Sequence, residues 1–270
     1  MEQLIDLGLT MESGQPPHFI WNKEGNRYWR LIDGERCELW QRGNSMRFTP
    51  GFDWAIRKLL RLEDDLPKLY ARFITDEHLA EAIRRYPGLR LTRNEPWESL
   101  VCYICSINRA IPQIRRDVQK LLDESGWMKE PEEIVRMRLP SSLGFRAKYL
   151  RDAAWMVEES EVSLGALHRM DYLKAREELM RLPGVGPKVA DCVLLFGYGK
   201  LEAFPADVWV RRAMSRLYGL NGVKRIEEYA REKWGLDAGY AQQYLYVYAR
   251  EALKSRVAKK KSAPKSAVGF

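Results

Sequence analysis

The residues best suited to chemistry lie in one stretch, 171–212, DYLKAREELMRLPGVGPKVADCVLLFGYGKLEAFPADVWVRR. Leu182-Pro183-Gly184-Val185-Gly186 reads as a tight, glycine-rich link between two helices. Asp171 is a suitable N-cap for the first helix, and Pro187 suits the first turn of the second, where its missing N–H costs nothing. The glycines of such a hairpin, Gly184 and Gly186 around Val185, let backbone approach a phosphate, and the helix N-terminus that follows offers free N–H donors. Lys188 falls in that first turn. A positive helix end disfavours an ammonium and so favours a neutral, nucleophilic amine. The same placement suits a lysine that only touches phosphate, and the residue alone leaves both readings open. Cys192, four residues on, shares its face and by itself reads as a small core residue. Asp207 opens the run Val208 to Leu217, where it reads as an N-cap that would also fix a carboxylate at the mouth of a site. Gln242 and Tyr246, four apart in a helical run, share a face; taken singly they read as surface and packing residues.

These groups need elements to hold them. From about Phe19 to Phe48 the sequence predicts short strands and turns, with His18-Phe19-Ile20-Trp21 leading in and Lys23-Glu24-Gly25-Asn26 as a turn. Arg27 to Ile32 is rich in aromatic and β-branched residues, Asp33-Gly34 signals a hairpin, and Cys37-Glu38-Leu39-Trp40 alternates on the return. Beyond about residue 50 the apolar period turns helical. An apolar segment runs from Trp97 to Ile111, Pro112 precedes a basic amphipathic helix, and a loop at 141–144 leads into a helix over about 145–159. The reading is an α+β chain: a small antiparallel β domain over 1–80, a mainly helical body over 81–254, and a basic tail over 255–270 that is expected to be disordered.

Composition narrows the function classes. Of 270 residues 46% are hydrophobic, enough for a real core. The net charge is +8, but the tail carries +5 of it, the first hundred residues carry −1, and 101–254 carry +4. An anionic partner is implied, gripped by few cations. Four cysteines are too few for a disulfide scaffold, and the first fifteen residues, with no basic side chain, do not read as a secretory signal. No apolar run approaches the ~20 residues of a membrane span. A cytoplasmic protein acting as a monomer, with no membrane partner, is expected. Cys37, Cys102, Cys105 and Cys192 lack cluster spacing, and His18, His78 and His168 are scattered, so no metal and no cofactor are expected.

LPGVGPKVADC followed by AFPADVWVRR resembles the helix–hairpin–helix DNA glycosylases that carry a lysine and a downstream aspartate. RNEPWESLVCYICSINRAIPQIRR (93–116), SLGFRAKYL (142–150) and the opening Gly14-Gln15 resemble segments of the 8-oxoguanine DNA glycosylases among them, although Pro16-Pro17-His18 departs from the usual run. The likeness covers about 1–254. It implies a bifunctional enzyme that flips 8-oxoguanine out of double-stranded DNA, attacks C1′ with Lys188 and nicks the strand by β-elimination. Asp207 would stabilise the sugar cation. Gly14, Cys192, Gln242 and Tyr246 would form the base pocket, with the Gly14 carbonyl accepting the N7 hydrogen that guanine lacks. Asn108 would fill the vacated space, Phe145 would wedge beside the opposite base, and Arg146 would read that base. Gln113 stands where the family has a second arginine, which implies a relaxed choice of opposite base, and Trp209 stands where it often has a histidine. Two alternatives share the hairpin: an oxidised-pyrimidine glycosylase-lyase of the endonuclease III type without its iron–sulfur cluster, and a non-catalytic DNA-binding module, which has no use for a Lys188–Asp207 pair.

Overall fold

A computed structural model describes residues 4–262, of which 252–262 are described as backbone alone. The first helices are short: α1 (Leu7–Met11), capped by Asp6, and α2 (Pro17–Ile20). Strands β1 (Asn22–Glu24), β2 (Arg27–Ile32), β3 (Glu35–Arg42) and β4 (Ser45–Phe48) follow, and pair antiparallel in sequence order. The chain then stays helical through α3 (Asp53–Leu59), α4 (Leu66–Phe73), α5 (Glu77–Arg85), α6 (Pro96–Cys105), α7 (Ile111–Gln119) and α8 (Pro131–Arg136). It continues through α9 (Arg146–Glu158), α10 (Tyr172–Leu179), α11 (Pro187–Val193), α12 (Val208–Tyr218), α13 (Val223–Trp234) and α14 (Ala238–Ser262). Among the described residues no helix is long and apolar enough to cross a membrane.

The hairpin at Asp33-Gly34 forms as expected, both residues at positive φ (53° and 79°), and sets Tyr28 opposite Leu39. The entry to the sheet differs from expectation. Phe19 and Ile20 end a short helix rather than start a strand, because Pro16 and Pro17 preset φ for a first turn and α7 takes up the carbonyls at its end. Gln119 Nε2 donates to the Phe19 carbonyl at 3.0 Å, and Arg115 donates to that of His18 at 3.2 Å.

The sheet is fastened to the helical body through a buried charge. Arg30 on β2 donates to both carboxylate oxygens of Glu98 on α6, at 2.7 and 3.2 Å, and to the Gly126 carbonyl at 2.6 Å. The boundary expected near residue 80 falls inside α5, which packs on α14 at the other end of the sequence. One hydrophobic core therefore joins residues on both sides of it, from Leu7 and Leu39 to Tyr244 and Leu245. The expectation of a disordered tail from residue 255 is corrected over 255–262. The last helix runs on to Ser262, since Ala, Arg and Lys favour helix and the first breaker after it is Pro264. Residues 263–270 lie outside the described residues.

Candidate active site

Asp171 accepts from the Lys174 N–H at 3.0 Å and starts α10, as its position foretold. The hairpin closes with the Val185 N–H on the Leu182 carbonyl at 3.0 Å. Gly184, at φ 79°, faces the Tyr149 ring so closely that a Cβ would stand 2.7 Å from it. Gly186 and Pro187 are exposed, and no side chain caps the start of α11, so the leading N–H groups face outward with the dipole end.

Lys188 extends from that first turn, its Nζ 5.0 Å from the centre of the Tyr103 ring. Cys192 lies one turn on, 4% exposed; burial pushes its thiol up to about 12 against the pull of Lys188. Near neutral pH it is therefore a thiol and not a thiolate. From the far side, Asp207 caps α12 with one oxygen, accepting from the N–H of Trp209 at 2.9 Å and of Val210 at 2.8 Å. Burial raises its carboxyl above the usual range, while the Val210 N–H and Lys188 pull it back. The N-cap reading of its sequence position is therefore met, with both cap bonds falling on the same oxygen.

α14 carries the two remaining candidates. Gln242 is 4% exposed; its amide N–H reaches the Pro205 carbonyl at 3.3 Å, and its Oε1 is buried with no partner. A buried carbonyl left unpaired is costly unless something brings a donor to it. Tyr246, one turn on, lays its ring against Gly14: a Cβ there would come within 2.7 Å of the phenol oxygen. The Gly14 turn itself, at φ 78°, is pinned from three sides. His18 Nδ1 accepts its N–H at 3.2 Å, Gln243 donates to the Ser13 carbonyl at 3.0 Å, and Gln15 bonds the carbonyls of Thr10 and Arg90 and the N–H of Thr92.

A second cluster lies at the ends of α6 and α9. Asn108 is exposed and holds φ 50°, a left-handed conformation that asparagine tolerates. Phe145 is 52% exposed, a large apolar side chain with no core to fill, and its ring meets Tyr149 edge-on at 5.7 Å. Arg146 differs from expectation. It is 5% exposed, and its guanidinium donates to the carbonyls of Ile107, Leu143 and Asn108, clamping the two loops together under the Phe145 ring. The planar fork suits three convergent carbonyls, and in this state its hydrogen bonds are spent on backbone. Gln113 is also occupied, accepting the Ala110 N–H at 3.4 Å at the start of α7. Trp209 is half-buried with Arg212 over its ring at 5.3 Å.

The sequence reading did not single out Tyr103, Gln243 or Tyr149. Tyr103 sits mid-run in an apolar helix, indistinguishable by pattern from its core neighbours; Cys102 and Cys105 beside it are buried free thiols, as expected of packing residues. Among the described residues no group of three or more His, Cys, Asp or Glu could hold a metal ion.

Comparison with known proteins bears on the whole arrangement. Residues 1–100 match the family model for the 8-oxoguanine DNA glycosylase N-terminal domain, and 174–196 match the helix-hairpin-helix motif. A probable N-glycosylase/DNA lyase of Methanothermobacter thermautotrophicus is 31% identical over 92% of this chain and 94% of its own. The N-glycosylase/DNA lyase of Saccharomyces cerevisiae is 28% identical over 89% and 82%. Among solved structures, the Clostridium acetobutylicum 8-oxoguanine glycosylase/lyase, in complex with duplex DNA containing cytosine opposite 8-oxoguanine, superposes with a TM-score of 0.83. It is 28% identical, covering 92% of this chain and 93% of that one.

Proposed function

This chain belongs to the 8-oxoguanine N-glycosylase/DNA lyase family of helix–hairpin–helix proteins, and we propose that it excises 8-oxoguanine from duplex DNA through a Lys188 Schiff base. It is a DNA glycosylase with lyase activity, and its partner is double-stranded DNA.

One observation supports the choice of substrate: the Oε1 of Gln242 is buried without a partner, and we assign it to a base pocket whose walls are Cys192 and Tyr246. A guanine-type base has N1–H and N2–H donors on its Watson–Crick edge, and these would satisfy that oxygen on insertion. The Tyr246 ring offers a stacking face on one side and the Cys192 thiol closes the other. The Gly14 carbonyl is our reader of the lesion itself, since 8-oxoguanine presents an N–H at N7 where guanine presents an acceptor.

The hairpin turn, exposed at Gly186 and Pro187, receives phosphate, Phe145 parts the base step, and Asn108 occupies the space left by the flipped nucleotide. Lys188 then attacks C1′ while Asp207 faces the positive sugar. Because Arg146 clamps backbone and Gln113 is a neutral amide, the opposite base is held less strictly than two free arginines would hold it. We take the enzyme to act as a monomer, in the cytoplasm on chromosomal DNA.

Borohydride trapping on a duplex with one 8-oxoguanine tests this directly. The wild-type protein should form a covalent adduct that disappears in Lys188→Gln. A protein that binds this duplex well yet never traps or cuts it would refute the reading, and preferential trapping on thymine glycol would reassign the substrate to oxidised pyrimidines.

A further inference from the structure

Tyr103 lies where the charge of the reaction has to be carried. Its ring centre stands 5.0 Å from Lys188 Nζ. Phe196 stacks on the ring at 5.7 Å and Phe19 meets it edge-on at 6.4 Å, so a side chain 3% exposed has no room to turn away from the amine. The hydroxyl takes no part in holding it there, being buried without a hydrogen-bond partner. Aromatic packing alone fixes this face.

We propose that Tyr103 is a positioning residue of the glycosylase/lyase reaction, its ring face holding the Lys188 nitrogen and stabilising the positive charge that this nitrogen acquires. The proposal rests on Lys188 being the nucleophile. In that reaction the amine lone pair forms the N–C1′ bond as the glycosidic bond breaks; that bond's electron pair leaves with the base, which takes up a proton. The nitrogen is then cationic. After it loses a proton, its lone pair forms the C1′=N double bond while O4′ departs from C1′ with its electron pair and is protonated. The resulting iminium is cationic again. Loss of a C2′ proton and departure of the 3′ phosphate oxygen complete the elimination. A cation within ~6 Å of a desolvated aromatic face is attracted by the ring quadrupole, and a neutral amine is not attracted in this way. The face therefore favours the states after attack over the state before it. Cys192 cannot share this task as an anion, because burial keeps it a thiol.

The test grades the ring's quadrupole without changing its shape. Position 103 is filled in turn by phenylalanine (Tyr103→Phe) and by mono-, di- and trifluorophenylalanine, and Tyr103→Leu removes the ring. Single-turnover borohydride trapping is followed on a duplex with one 8-oxoguanine, beside thermal melting and binding to a duplex bearing a tetrahydrofuran abasic analogue. Relative to Tyr103→Phe, the trapping rate should fall stepwise with fluorination, by about 3- to 30-fold over the series, with melting and binding held. Tyr103→Leu should trap no faster than the trifluoro variant. A flat series in a protein whose wild type traps overturns this proposal and leaves Lys188 as nucleophile. A wild type that never traps overturns both.

Discussion

Gly184→Ala measures how tightly the hairpin at 182–186 is locked to Tyr149 and, through it, to Phe145. Gly184 holds φ 79°, and an added Cβ would stand 2.7 Å from Tyr149 Cδ2 and Cγ and 2.9 Å from its Cβ. Alanine in the left-handed region costs about 1 kcal/mol. Forcing aside a packed ring adds about 1–3 kcal/mol, and here the atoms met include a Cβ, which cannot rotate out of the way. The total is about 2–4 kcal/mol. Gly186→Ala is the matched control, since nothing lies within 4 Å of its missing Cβ and its φ of −91° suits any residue. Urea unfolding should therefore separate the two, with Gly186→Ala within about 0.5 kcal/mol of wild type. Because Tyr149 also carries Phe145, Gly184→Ala should weaken binding to an abasic-site duplex by at least about 10-fold. Equal unfolding midpoints for Gly184→Ala and wild type would refute the argument from the Tyr149 contact.

Other perturbations reach the pocket and the core. Gly14→Ala should slow excision by about 10-fold or more while costing only about 1–2 kcal/mol of stability, since the new Cβ meets the Tyr246 hydroxyl at 2.7 Å; a full excision rate would remove Gly14 from the pocket. Asp207→Asn keeps an oxygen for the Trp209 and Val210 N–H groups, so melting should shift little while excision falls by at least about 100-fold. Matching losses in binding and catalysis would reduce it to a cap. Arg30→Ala strands Glu98 in the core and should cost about 3–5 kcal/mol in urea unfolding, whereas an exposed ion pair would cost under about 1. His18 is held down to about 4, by burial first and by Arg250 next. Its contribution is full above the unfolded value near 6.5 and is lost as pH falls through about 4, so unfolding at pH 7 and pH 4 should differ by about 2–3 kcal/mol from this group, a slope that His18→Asn removes.

Much of this was legible in the residues because it depends on neighbours along the chain. The hairpin at 182–186, the Asp171 and Asp207 caps, the Asp33-Gly34 turn and the shared face of Gln242 and Tyr246 are all local geometry. The failures are of another kind. Phe19-Ile20 reads as the start of a strand until α7 supplies partners for the carbonyls of this turn. The boundary near residue 80 fails because α5 finds its packing partner at the other end of the chain.

Spacing and residue type by themselves determined only the local placement of the candidates: a lysine at a helix start, an aspartate at the next, an amide and a ring one turn apart. Only the tertiary structure decided what each group faces. It set Tyr103 from α6 under Lys188, and left the Gln242 oxygen buried and unpaired. It also turned Arg146 inward onto three carbonyls. The physical reason is that a backbone turn is fixed by a few adjacent torsions, whereas desolvation, a missing partner or a ring over a charge depends on residues far away in sequence.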